Sequence, residues 1–467
     1  MITVSRKGSI PIYQQIYEQI RNSILSGSMP ENFRLPSIRA LAGELRVARN
    51  TVESAYGQLV LEGYITSVPG SGCVVNKIDA EPCPMPEAGR AKPPESGRTA
   101  GAPEAKYSFQ YGVLGAEYFP VKLWKKYTAE LLEAPDAQSV HSLCDVRGDE
   151  SLREEIRRYL YRSRGVRCGA EQIIVCGGTQ AALEAVLRVL PRAGAAAMEN
   201  PCYDGARAVF ENSGVRILPV PVGKNGIDIQ RLAGTDAPLA YISPSHQFPT
   251  GAVMPIHNRL ELLSMARRKN MTIVEDDYDS EYRYNGQPVP SLQSIDSYGQ
   301  VVYVGTFSKV LSEGLRTAYF VLPRQLLQTY LRKFSGYTCA VPLLEQKILA
   351  RFMADGHWEK QLRRICTAHK KKHDLLVAAL ERSMGGRVRI SGQNAGLHLL
   401  LEFPDGRSES DLLRQALLQG VRVFPTSPFW LSRDSRRNSA VLLGYGRISA
   451  DDIVPAVDRL KKAWFGG

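Results

Sequence analysis

The chain has 467 residues, 44% of them hydrophobic and 23% charged, a composition that excludes a disordered protein and a length that exceeds one ordinary core. Lys and Arg outnumber Asp and Glu by 59 to 47, a formal charge of +12, which permits an anionic partner such as nucleic acid without selecting one. No run of about 18 apolar residues occurs, no apolar stretch follows Arg6 and Lys7, and the eight cysteines form no CxxC pair; a cytoplasmic protein without membrane span, disulfide framework or metal centre is expected.

From the N-terminus, Ile12, Ile16, Ile20 and Ile24 recur every four residues, predicting an amphipathic helix that runs to about Ser26 and stops at Gly27. Ser37 stands at an N-cap position ahead of Ile38, Leu41, Ala42 and Leu45, and a third helix carries Val52, Ala55, Tyr56 and Leu59 up to Gly63. The stretch YITSVPGSGCVV then reads as two short strands about a tight turn. Three helices and a hairpin predict a winged helix-turn-helix over residues 1–76. Its third helix, about Arg49–Glu62, is expected to enter a DNA major groove with Arg49, Asn50 and Thr51 leading and Tyr56 behind them. Arg34, Ser37 and Arg39 are expected on phosphates, and the wing about Gly70 and Gly72 on backbone or minor groove. Charge alone does not nominate this region, because it holds seven basic residues against five acidic ones.

Residues 77–106, dense in Pro, Gly, Ala and charge, predict a semi-extended linker. Beyond it, short apolar runs alternate with helical patterns: IIVC (173–176), AAAME (195–199), PLAYIS (238–243), MTIVE (271–275), VVYV (301–304) and AYFVL (318–322). Such alternation predicts an α/β domain over 107–467 with a mostly parallel sheet and a smaller C-terminal α+β lobe from about 355. Ligands of such sheets sit beyond the strand carboxyl ends.

The residues that follow those runs carry chemistry. After IIVC, Gly177, Gly178, Thr179 and Gln180 open a helix whose free N–H groups suit a phosphate. After TIVE, Asp276 can face a cationic ring nitrogen, with Tyr278 two residues on. After VVYV, GTFSK places Lys309 where partial desolvation makes an amine a carbonyl nucleophile; Thr306, Ser308 and Arg316 stand ready to hold a dianion. Tyr203, in NPCY, is placed to stack on a ring. A phosphate cradle, a carboxylate for a pyridinium and an amine for an aldehyde, in that order along one sheet edge, describe pyridoxal 5'-phosphate held as a Schiff base.

Residues 108–465 resemble the fold-type I aminotransferases, and residues 10–75 resemble the GntR winged-helix family through PIYQQIYEQIRNSILSG, RLPSIRALAGEL and RNTVESAYGQLVLEGY. The two in this order match the MocR family of bacterial regulators, whose EDDYDSEY, HQFPTG, GTFSK and AGLH signatures all stand here. The resemblance implies that Lys309 forms the Schiff base, Asp276 pairs with the pyridine nitrogen, Tyr278 bonds the ring hydroxyl, Arg316 holds the phosphate and Tyr203 stacks. It places His246 and Gln247 in the pocket wall. It also implies a double-stranded DNA operator, an effector that is an amine or the cofactor itself, and a head-to-tail homodimer with exchanged winged helices.

The departures from the family pattern are equally specific. Leu442 stands where aminotransferases of this fold often carry the arginine that clamps a substrate carboxylate, and Leu143 where many carry a tyrosine reaching the neighbouring subunit. Arg422 and Arg447 remain as candidates for a displaced clamp. In the winged helix, Ala48 replaces the usual serine and Arg46 the usual glycine. Two readings follow: a regulator whose aminotransferase-like domain senses the cofactor or an amine, and a working aminotransferase with a DNA-binding appendage.

Overall fold

The isoleucine repeat near the N-terminus winds into helix α1 (Ile12–Leu25), which buries Ile16 and Ile20 completely against Val52, Ala55 and Leu59 of α3 (Arg49–Leu61). Between them lies α2 (Ile38–Leu45), started by the Ser37 hydroxyl, which accepts the Ala40 N–H at 3.1 Å. The hairpin pairs β1 (Ile65–Val68) with β2 (Gly72–Val75) antiparallel, Ile65 opposite Val75. This is a winged helix-turn-helix in a computed structural model that describes residues 2–6, 10–69, 72–78, 105–135, 141–190, 194–284, 289–431 and 439–466. The chain divides into two compact units, Met1–Ala100 and Gly101–Gly467. Most of the expected linker and Gly70 of the wing lie outside the described residues.

Helix α2 ends on Arg46 in the left-handed region, φ +52°, where a side chain costs about 1 kcal/mol and glycine almost nothing. The bond that Arg6 donates here ends on the Arg46 carbonyl, so glycine would keep it. Arg46→Gly is expected to raise the melting transition of the winged helix by about 4 °C, measurable by calorimetry on the full chain.

In the larger unit, β4 (Ile173–Cys176), β5 (Ala195–Asn200), β6 (Arg216–Gly223), β7 (Gly226–Ile227), β8 (Leu239–Ile242), β9 (Thr272–Asp276), β10 (Val301–Thr306) and β11 (Ala318–Val321) form one sheet in the order β4-β11-β10-β9-β8-β5-β6-β7. The five strands β10-β9-β8-β5-β6 run parallel, while β11 runs antiparallel to both neighbours. Alternate residues feed different cores: Val302, Val304 and Phe320 one, Tyr303, Tyr319 and Val321 another. That alternation is why these strands read as continuous apolar runs.

The remaining strands build the smaller lobe. Here β12 (Arg389–Ser391), β13 (His398–Glu402), β15 (Phe424–Pro425) and β16 (Ala440–Gly444) pair antiparallel in the order β12-β13-β16-β15, flanked by helices His357–Met384 and Ala450–Phe465. A strand pair that chain position did not foretell joins β3 (Tyr107–Ser108) to β14 (Val421–Arg422) in parallel. Among the described residues, no helix is long and apolar enough to cross a membrane.

Candidate functional site

The strand ends meet at one cavity of ≈ 240 Å³. Gly178, Thr179 and Gln180 line it from the helix Thr179–Val189, Tyr203 from the loop after β5, and Asp276 and Tyr278 from the end of β9. Thr306 lines it from the end of β10, and Ser308, Lys309 and Arg316 from the segment that follows. Parallel strands sharing one direction put all these loops at one sheet edge, so residues spread over 139 positions become neighbours.

The phosphate-type end is built by a glycine. Gly178 caps its helix at φ +110°, and a Cβ there would stand 2.5 Å from Arg316 Nη2. Only a bare backbone lets the guanidinium lie against the helix N-terminus, where Nη2 also donates to the Gly177 carbonyl at 3.4 Å. Unpaired N–H groups, hydroxyls and an arginine converge there, a donor set for a dianion.

Asp276, 4% exposed, accepts the Tyr241 hydroxyl and makes no ion pair among the described residues. Burial pushes its carboxyl up to about 7, against the pull of that hydrogen bond. A buried carboxyl so placed fits a ring nitrogen that shares its proton. Because this carboxyl sits above its unfolded value of 3.8, the ligand-free fold binds more protons than the unfolded chain, so its stability falls as pH rises from about 4 to 7. Asp276→Asn is expected to raise the ligand-free melting temperature at pH 8 by about 2–4 °C while lowering affinity for a pyridinium ligand, which thermal melts with and without cofactor would read.

Lys309 Nζ is paired with Glu313 Oε1 at 2.9 Å, donates to the Gly112 carbonyl at 3.1 Å, and lies 5.1 Å from the centroid of the Tyr111 ring. Glu313 is not among the residues expected from the sequence, although its i,i+4 spacing from Lys309 is the signal that finds it. Tyr111 and Gly112 carry no such signal, since nothing local ties FQYG to a strand end two hundred residues later. Phe248 and Ser243 complete the lining.

Other expected residues lie elsewhere. His246 does not line the cavity: it is buried behind Tyr278, whose hydroxyl donates to the His246 carbonyl at 3.1 Å, and its Nδ1 meets Asp279 at 2.9 Å. Gln247 is a buried clip, donating to the carbonyls of Pro201 and Phe248. Arg422 and Arg447 are exposed and do not line the cavity. On the winged helix, Arg34, Ser37, Arg39, Arg49, Asn50 and Gly72 are exposed and Thr51 half-buried. Tyr56 is not among the outward residues: it is buried in the core with its hydroxyl donated to the Pro36 carbonyl at 2.9 Å, shaping the turn before α2.

Two units with these features define a class: a winged-helix DNA-binding module carried on an aminotransferase fold. Residues 12–75 match the bacterial regulatory proteins of the gntR family, and residues 110–450 match aminotransferase class I and II. The chain is 37% identical to the HTH-type transcriptional regulator YdeL of Bacillus subtilis, over 99% of this chain and 98% of that one. It is 34% identical to the probable rhizopine catabolism regulatory protein MocR of Rhizobium meliloti, over 99% and 96%. Among solved structures, LysN, the α-aminoadipate aminotransferase of Thermus thermophilus complexed with N-(5'-phosphopyridoxyl)-L-leucine, aligns with a TM-score of 0.69 at 29% identity, covering 77% of this chain and 92% of that one. The chain belongs to the MocR-type subfamily of GntR transcription regulators.

Proposed function

We propose that this regulator binds pyridoxal 5'-phosphate at Lys309, and that occupancy of the site by the cofactor, or by an amine joined to it, sets how a homodimer holds its DNA operator. The observation that carries this reading is the convergence of Lys309, Asp276 and the Gly178–Arg316 cradle on one cavity. When bound, the cofactor supplies an aldehyde that condenses reversibly with primary amines. Lys309 Nζ supplies the protein's amine, and its partner Glu313 is 42% exposed, so breaking that pair costs little. Asp276 would pair with the ring nitrogen, its carboxyl being buried beside the cavity and able to hold or give up a proton near neutral pH. Arg316, Thr306, Ser308 and the helix N-terminus hold the phosphate; Tyr278 bonds the ring hydroxyl and is itself positioned by His246 and Asp279. Tyr203 covers a ring face.

On the DNA side, Arg49, Asn50 and Thr51 read bases, while Arg34, Ser37, Arg39 and the wing at Gly72 position the backbone. The winged helix spans residues 1–76, and the linker 77–106 joins it to the effector domain. Two half-sites call for two winged helices, and Leu143, an apolar side chain left 84% exposed, supports a subunit interface on the larger domain. Control requires that the ligand bind the two arrangements of the dimer unequally.

The test is uptake and fixation. Cofactor added to the stripped protein is expected to become fixed to the Lys309 peptide on borohydride reduction, in a protein that sediments as a dimer. Label spread over surface lysines, or none, contradicts the reading.

A further inference from the structure

The signatures HQFPTG and AGLH meet behind the cavity wall. His246 opens the first, His398 closes the second, and their ring centroids lie 5.2 Å apart. One glycine from each signature makes room for the His246 ring: a Cβ on Gly396 would run into its Cε1, and one on Gly251 would stand 3.4 Å from its Nε2. Asp279, from EDDYDSEY, completes the group. None of the three is more than 2% exposed.

Hydrogen bonds fix which ring nitrogens carry protons. His398 Nε2 donates to the Pro249 carbonyl at 3.0 Å, so its Nδ1 is a bare lone pair. His246 Nδ1 donates to the Asp279 carboxylate at 2.9 Å, so its Nε2 is a second bare lone pair. Both bare nitrogens are buried and have no hydrogen-bond partner among the described residues. Buried acceptors left without a partner are costly, which makes two in one cluster a sign of a missing ligand.

Imidazole lone pairs with a carboxylate beside them are the donors of zinc and its first-row neighbours. Metal-binding histidines anchor their other N–H on a carboxylate or a backbone carbonyl, and His246 and His398 do one each. One ligand atom from each of the three residues lies within 4.8 Å of the others. On a tetrahedral ion such atoms lie about 3.4 Å apart, so side-chain shifts of about 1 Å close the set.

We propose that His246, His398 and Asp279 hold a divalent cation of the zinc type. Asp279 supplies the negative charge, at the ion or one ring away from it. The three positions are scattered through the chain, so no metal-type spacing in the sequence foretells them. The ion's part is to hold the wall: Tyr278 donates to the His246 carbonyl, Tyr111 meets the His398 ring edge-on at 4.9 Å, and both tyrosines line the cavity. The site does not rest on cofactor binding at Lys309.

The experiment uses the full chain without an affinity tag, produced in Zn2+-supplemented medium and gel-filtered. It is expected to carry about one zinc per chain by elemental analysis, and its X-ray absorption spectrum to show imidazole ligands and no sulfur. His246→Gln and His398→Gln are each expected to cut the zinc content by about 10-fold or more. His257→Gln, at an exposed position on the helix Ile256–Lys269, is expected to keep it. Should a histidine variant fail to fold, the wild-type content and spectrum decide alone. Wild-type zinc below about 0.1 per chain overturns the proposal and leaves the two lone pairs to a buried water. Sulfur ligation, or full zinc content in His398→Gln, overturns it as well.

Discussion

Lys309→Ala is expected to yield a folded regulator that no longer fixes its cofactor. The lysine's partners in the ligand-free state are the Gly112 carbonyl and a half-exposed glutamate, so truncation leaves no buried charge stranded and costs well under about 1 kcal/mol of stability. The phosphate cradle and Asp276 remain, so the cofactor still enters, held only by reversible contacts. Its affinity is expected to fall by about 100-fold or more, and dialysis after borohydride should return colourless protein. Retention of a covalent adduct by the variant would place the reactive amine on another residue.

Arg49→Ala is expected to produce the complementary loss. Arg49 is the first residue of α3, exposed, and its side chain has no hydrogen bond or ion pair within the described residues, so removing it leaves the winged-helix core intact. Losing one base or phosphate contact per half-site costs about 1–3 kcal/mol, and a dimer loses two. Operator affinity, read by fluorescence anisotropy at fixed salt, should drop by at least about 10-fold while cofactor uptake is unchanged. An unaltered isotherm would move base reading to another part of the winged helix.

Much of this architecture is legible in the sequence because the signals are local. The Ile12 to Ile24 period, the Ser37 cap and the six apolar runs each report a single element, and each element stands where its run predicts. The cavity is legible for the same reason: strand-end residues are set by the strand that precedes them. What escapes is what the chain brings together from afar. Tyr111 and Gly112 reach Lys309 across 197 positions, and β3 joins β14 across the whole domain. Tyr56 shows the converse error, since a tyrosine on a recognition helix is polar enough to suggest DNA, yet its hydroxyl is spent on the Pro36 carbonyl. His246 is similar: its motif points to the pocket, but the ring is turned behind Tyr278 to Asp279.

Leu442 gains meaning only in three dimensions. In sequence it is an arginine missing from a motif; in the fold it is a buried side chain packed with Leu400, Phe248 and Phe424.

The most direct test of the account is operator binding by one preparation in three states: stripped of cofactor, loaded with pyridoxal 5'-phosphate, and loaded with a primary amine added. On a duplex selected from random sequence by the protein itself, at one salt concentration, the dissociation constant is predicted to differ by about 10-fold or more between at least two of the states, and Lys309→Ala is predicted to erase the difference. Three superimposable isotherms for the wild-type chain would contradict it.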